Sequence, residues 1–349
     1  MSARQAAAAL AASMGIGRFV YTPILPLMTA QAGLSATGAA SLATANYLGY
    51  FVGALATIVR APSRATNRVA LVLLVATLAV MPLTHSFAAW FVLRLLAGVA
   101  SALVFVAAVN AGPGWGLSGV GVGIALSGLI VLAHAEWRFA WWVAAASSVL
   151  LTASAWSLQP RNPQPPPPAS RTKGFGALFT SYTLEGVGYI IAGTFLVAAI
   201  SGPLGSAAWI LVGVSAALSV TTRVRNLPLL LAVQAVGIAL PALFGGTAAA
   251  LIAVILFGGT FLMIAAASFK LGADLGFPRA AAVLTTGYSA GQIIGPLIAT
   301  PLLHHGYRHA LLLAAAVVAL AALTAPALPS RRRAGSRTPP HRTPAELVE

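Results

Sequence analysis

The chain has 349 residues, 59% hydrophobic and only 7% charged, with a mean hydropathy of +0.90. Soluble domains carry roughly 25% charged residues, so this chain could not cover a folded surface with polar groups in water; in lipid it has no need to. The net charge of +15 sits at the ends of apolar segments, not on a patch interleaved with aromatics, which argues against nucleic acid as a partner.

Twelve apolar segments follow in chain order, near 5–29, 38–59, 68–84, 87–110, 117–134, 138–158, 178–200, 205–222, 226–245, 247–270, 279–303 and 308–328. A spanning helix takes about 20 residues. The breaks carry turn residues or charge, among them Ala32-Gly33, Pro62 to Arg68, Gly112-Pro113-Gly114, Gly202-Pro203 and Asp274 to Arg279. The first run, Gln5 to about Met28, lacks a clear small-residue cleavage site and reads as a retained helix, not a signal peptide. An all-α membrane protein with twelve transmembrane helices is the expected fold class.

The basic residues orient it. With the N-terminus cytoplasmic, sixteen of the twenty Lys and Arg fall inside, Arg138 and Arg308 fall outside, and Arg18 and Arg94 lie within spans. The expected location is the plasma membrane, a bacterial inner membrane, with both termini cytoplasmic. Residues 159–177, with Pro165 to Pro168, read as a stiff cytoplasmic linker. They divide a six-helix half (1–158) from a second (178–329), and 330–349 form a basic, disordered tail.

The halves repeat. Gly15-Ile16-Gly17 in helix 1 recurs as Gly186-Val187-Gly188 in helix 7, an offset of 171. Gly98 precedes Asn110 by twelve residues in helix 4, as Gly258 precedes Lys270 in helix 10. Gly119, Gly123 and Ser127 in helix 5 match Gly287, Gly291 and Gly295 in helix 11, an offset of 168. Spacing of four builds a small-residue stripe for close helix packing. Two pseudo-symmetric halves place a substrate site at mid-membrane.

Several strings resemble the YbfB/YjiJ group of the major facilitator superfamily. In helix 1 this is Gly15-Ile16-Gly17-Arg18-Phe19-Val20-Tyr21-Thr22-Pro23-Ile24-Leu25-Pro26-Leu27-Met28, and in helix 2 Ala45-Asn46-Tyr47-Leu48-Gly49-Tyr50. Helix 5 carries Gly121 to Gly128, helix 7 Gly186 to Ile191 with Thr194-Phe195-Leu196, and helix 11 Thr286-Gly287-Tyr288 and Gly291 to Leu297, including Pro296. The resemblance implies the major facilitator fold and alternating-access transport, but supplies no substrate. The chain departs from the superfamily in three places. Arg60-Ala61-Pro62-Ser63-Arg64 keeps the loop 2–3 basic residues without an Asp, Ser127-Gly128 stands where antiporters have Gly-Pro, and the turn between helices 4 and 5 is short. Drug/proton antiport is therefore less favoured.

Charges inside spans are costly and default to function. Arg18 lies near the middle of helix 1 and is a candidate anchor for an anionic group, with a structural clamp as the alternative. Glu185 is the one acid within a span. Desolvation and a nearby arginine act on it in opposite senses, so it is a candidate for proton coupling, and the repeat allows it to meet Arg18 across the cavity; the alternative is a cap at the N-terminus of helix 7. Arg94 resembles the superfamily's helix 4 arginine, near the outer end, with proton coupling and snorkelling both open. Tyr21, Asn46, Tyr47, Tyr189, Gln234, Tyr288 and Gln292 either line the cavity or bond between helices. Pro23 and Pro26 are expected to kink helix 1 for gating.

No cofactor or metal is expected. The chain has no cysteine, His304, His305 and His309 lack a nearby carboxylate, and no catalytic constellation is found. The function expected is secondary active transport of a small organic solute, possible anion and proton involvement included, by a monomer in the bilayer that is not an enzyme. A non-transporting sensor or scaffold on the same fold is the alternative.

Overall fold

In hydrocarbon every backbone N–H and C=O must be satisfied within the protein, and a helix does this within one segment. The computed structural model describes residues 2–326 apart from 112–113, 134, 161–173, 199–202, 223, 225 and 306, and the described residues contain no strand. The Pro-rich connection, the basic tail, the Gly112-Pro113 turn and the loop residues Arg223 and Arg225 lie outside the described residues, as do the side chains of His304 and His305.

Twelve helical segments are described. Segment α1 (2–32) comes in three pieces, Ser2–Leu10, a π-helical Ala11–Arg18 and Tyr21–Ala32. Then come α2 (Ala36–Val59), α3 (Arg64–Val80), α4 (Phe87–Ala111), α5 (Ser118–Ala133) and α6 (Trp137–Ala155). After the connection come α7 (Phe175–Ala198), α8 (Pro203–Ser219), α9 (Leu227–Phe244), α10 (Gly246–Asp274), α11 (Ala280–Ala299) and α12 (Tyr307–Thr324). Eight of them are long and apolar enough to cross a membrane, while α6, α7, α8 and α11 are shorter or less apolar. Of these four, α7 and α11 carry Glu185, Tyr288 and Gln292 into the interior.

Burial runs the opposite way from a soluble domain. Leu150, Phe244, Leu297 and Leu323 are exposed, whereas Asn46, Ser101, Gln234 and Gln292 are fully buried. Lipid takes the apolar outside, and polar side chains bond between helices inside.

Small residues let the backbones meet. A β-carbon on Gly123 would come 2.6 Å from Gly15 Cα, so α1 and α5 touch backbone to backbone. Gly98 of α4 lies against Asn46 of α2, and a β-carbon there would come 2.8 Å from Tyr50 N. In the second half Gly186 packs on Tyr288, and a β-carbon on Gly291 would come 2.9 Å from Val187 N. Gly17 faces the Leu74 side chain, Gly188 faces Val318 and Ala314, and Gly295 faces Ile190 and Val187. Pro296 has no N–H to give to Gln292 O one turn earlier, which loosens α11 at that point.

The halves separate at one end and meet at the other. At the end carrying the α2–α3 and α10–α11 connections, the Arg279 guanidinium donates to Ile58 O and, at 2.8 Å, to Val59 O, the last carbonyls of α2. Arg279 takes the left-handed backbone at φ 54°, the one non-glycine to do so among the described residues. Phe105 of α4 packs on Phe269 of α10 at 5.7 Å nearby. Toward the other end a cavity of about 880 Å³ lies between the halves.

Candidate functional site

The floor of this cavity is made by a break in α1. Pro23 has no N–H for the Phe19 carbonyl, which instead accepts from Thr22 N at 3.2 Å. Upstream the chain is underwound to a π-turn, with Phe19 N bonded to Met14 O at 3.2 Å. The interruption falls at Phe19 and Val20, before Pro23 and Pro26.

The break leaves carbonyls to satisfy, and Arg94 satisfies two. Its Nη1 donates to Gly17 O at 3.3 Å and its Nη2 to Arg18 O at 3.1 Å. The Arg94 guanidinium also lies 4.7 Å from the Tyr21 ring centre, and Asn46 Nδ2 donates to the Arg94 carbonyl at 3.0 Å. Arg94 is 2% exposed, so it does not snorkel; a cation on freed helix carbonyls is the favourable arrangement.

Arg18 is the last residue of the π-turn and is 3% exposed. Its Nη2 donates to Gln292 Oε1 of α11, in the other half. Its Cζ lies 4.2 Å from the Tyr50 ring centre and 5.5 Å from those of Tyr47 and Phe19. Each such cation–ring contact contributes about 0.5–2 kcal/mol. Its Nε and Nη1 are buried with no partner among the described residues. A guanidinium held by an amide and ring faces, with two nitrogens unpartnered and no carboxylate beside it, has hydrogen-bonding capacity that the described residues leave unused.

Arg18, Arg94, Tyr21, Tyr47 and Tyr189 all line the cavity, and none of its described lining residues is acidic. The exposed Thr29, Ala36 and Ala40 lie at its mouth, and Gly205 and Tyr307 bring in the starts of α8 and α12. Below Arg18 lies a small chamber of about 30 Å³ lined by Tyr50, Tyr182, Tyr288 and Gln292 among others. Tyr182 and Tyr288 stack at 4.8 Å, with Phe269 5.6 Å from Tyr182. These rings close the path between the cavity and the joined end.

Two expected members stand apart. Asn46 is turned to the Arg94 backbone, not the cavity. Glu185 does not meet Arg18; it lies mid-way along α7, away from the helix N-terminus, and takes a hydrogen bond from Gln234 Nε2 of α9 at 3.4 Å. The repeat aligns positions along a helix but leaves the partner open, and Glu185, one turn before Tyr189, is held by Gln234 of its own half. Phe19, Tyr50, Trp209 and Tyr307 belong to the site without having been singled out. An aromatic in an all-apolar helix carries no periodic signal to say which way it faces.

The family described as "Uncharacterised MFS-type transporter YbfB" matches residues 10–325. Among solved structures, the crystal structure of the human organic anion transporter MFSD10 (TETRAN) is similar with a TM-score of 0.70. That likeness covers 92% of this chain and 99% of that one at 14% identity, which speaks for the fold. No curated protein matches the chain in sequence.

Proposed function

The chain belongs to the family of MFS-type transporters described as YbfB, and from that premise we propose that it carries a small organic anion across the plasma membrane by alternating access, with Arg18 as the anchor. The observation that carries this reading is the pair of buried, unpartnered guanidinium nitrogens of Arg18 on a cavity whose described lining has no acid. Burying a charge at the bilayer centre costs at least about 2.5–3.5 kcal/mol, and a carboxylate or similar group on Arg18 offsets that cost while it is bound. The similar human transporter is one of organic anions, in keeping with this chemistry.

The charge bias of the loops supports a cytoplasmic position for both termini. The cavity then opens outward, and the end latched by Arg279 faces the cytoplasm. Transport requires the Arg18–Gln292 and Arg279–α2 contacts to break as the halves rock. A proton on Glu185 is the candidate coupling ion, acting from inside the second half.

The test is anion uptake into vesicles reconstituted with the full chain, starting with radiolabelled benzoate and a panel of aliphatic and aromatic carboxylates. Uptake that saturates and is abolished in Arg18→Ala supports the carrier. Binding of carboxylates without flux points to a sensor on the same fold.

A further inference from the structure

Glu185 is 1% exposed and is not among the residues lining the cavity. Its Oε1 accepts from Gln234 Nε2 at 3.4 Å, a long bond for a carboxylate with no cation beside it. Among the described residues the one ion pair is Lys270–Asp274, far along α10. Gln234 is fully buried, and its own Oε1 has no donor. An orphaned buried carbonyl of this kind is unfavourable until a donor reaches it.

The titratable groups around Glu185 are tyrosines: Tyr182 and Tyr189 on α7 and Tyr288 on α11. The described residues of α9, α10 and α12 bring no charged group into its surroundings, and α9 brings the neutral Gln234. The two defects, a carboxylate with one long bond and an amide oxygen with none, lie side by side. One proton removes both. With an O–H on its second oxygen, Glu185 donates to Gln234 Oε1 while its first oxygen keeps the Nε2 bond, closing an acid–amide pair. An ionised Glu185 has no hydrogen to donate and cannot close it.

We propose that Glu185 and Gln234 form a proton-binding site inside the second half, occupied in this conformation, in which the Gln234 amide is the positioning residue that accepts the acid's hydrogen. The proton comes from water, forming an O–H bond at Glu185, and returns to water when α7 and α9 part. The link to transport rests on the carrier reading above: on α7 Glu185 stands one turn before Tyr189, which lines the cavity with Ile190, Gly193 and Thr194. Seating or releasing the proton one turn behind Tyr189 therefore bears on the wall that an anion touches.

The experiment is infrared spectroscopy of the full chain reconstituted in vesicles, with no substrate added. At pH 7 the expected spectrum contains a protonated-carboxyl absorption. It disappears in Glu185→Gln, and in Gln234→Leu it moves to the position of a carboxyl that lacks an acceptor. Carboxyl-labelled 13C-glutamate assigns the band to a glutamate in the unsubstituted chain, should Glu185→Gln fail to fold. No protonated carboxyl at pH 7, or a band that Gln234→Leu leaves in place, overturns the proposal. The anion reading is scored apart from this, by carboxylate binding to Arg18 variants, so either can fail without the other.

Discussion

Arg18 on α1 and Gln292 on α11 are joined by a hydrogen bond that crosses from one half of the molecule to the other. The bond holds the guanidinium at the cavity floor through a neutral partner, so its charge stays available. Gln292→Glu puts a carboxylate in the same place and neutralises it from within. Hydrogen bonds to charged groups contribute about 1.5–3 kcal/mol, so this substitution weakens carboxylate binding by roughly tenfold or more, while Gln292→Leu weakens it far less. Titration of carboxylates against unfolding temperature measures both.

Arg94 has a different task. It supplies donors to Gly17 O and Arg18 O at the break in α1, and Arg94→Met leaves both buried. At about 1–3 kcal/mol for each orphaned carbonyl, the variant unfolds at a lower temperature even with no ligand present. Carboxylate affinity falls with it, because the backbone that aims Arg18 loosens. Arg94→Lys recovers part of the stability. Unfolding temperatures in detergent that match the parent would contradict this role.

The close approach of α1 and α5 leaves no room at Gly123. A β-carbon would come 2.6 Å from Gly15 Cα and 3.0 Å from Gly15 C, both backbone atoms that cannot turn aside. Gly123→Val therefore separates the helices and yields protein that aggregates on size exclusion in detergent. Gly176→Val, where a β-carbon meets nothing within 4 Å, leaves the elution profile unchanged.

Arg279 latches the closed end through the terminal carbonyls of α2, beside a connection, residues 60–63, that carries no acid. Arg279→Ala removes the latch and shifts the population toward the state open at that end. The chain has no cysteine, so one introduced at Thr285, 1% exposed and lining the small chamber, gives a clean readout. Thiol labelling of Thr285→Cys from the latched side accelerates when Arg279 is replaced. Equal labelling rates in both backgrounds would exclude a latch.

The apolar runs made eight segments legible in the sequence, because a spanning helix must be long and apolar whatever surrounds it, and the turn residues marked off the other four. Arg18 stood out for a related reason, as a charge within a span, and it is found buried beside the cavity. What could not be read was rotation. A helix apolar on all sides carries no stripe that marks its inner face, so meeting Arg18 and capping helix 7 were both open for Glu185, which is found against Gln234. Nor does any local signal join Arg18 to Gln292, 274 residues later. The site of the α1 break depended on Arg94 taking the freed carbonyls, a contact that proline positions alone do not reveal.

The anion site at Arg18 is tested most directly by a thermal-shift panel on the purified chain, in which each carboxylate is paired with its neutral amide and with an ammonium analogue of the same shape. A ligand that binds the folded state raises the unfolding temperature by mass action. The account predicts stabilisation by members of the carboxylate series alone, lost in Arg18→Ala and retained in Arg64→Ala, which removes an exposed arginine outside the cavity. Stabilisation by amides or ammonium ions, or carboxylate stabilisation that survives Arg18→Ala, would contradict it.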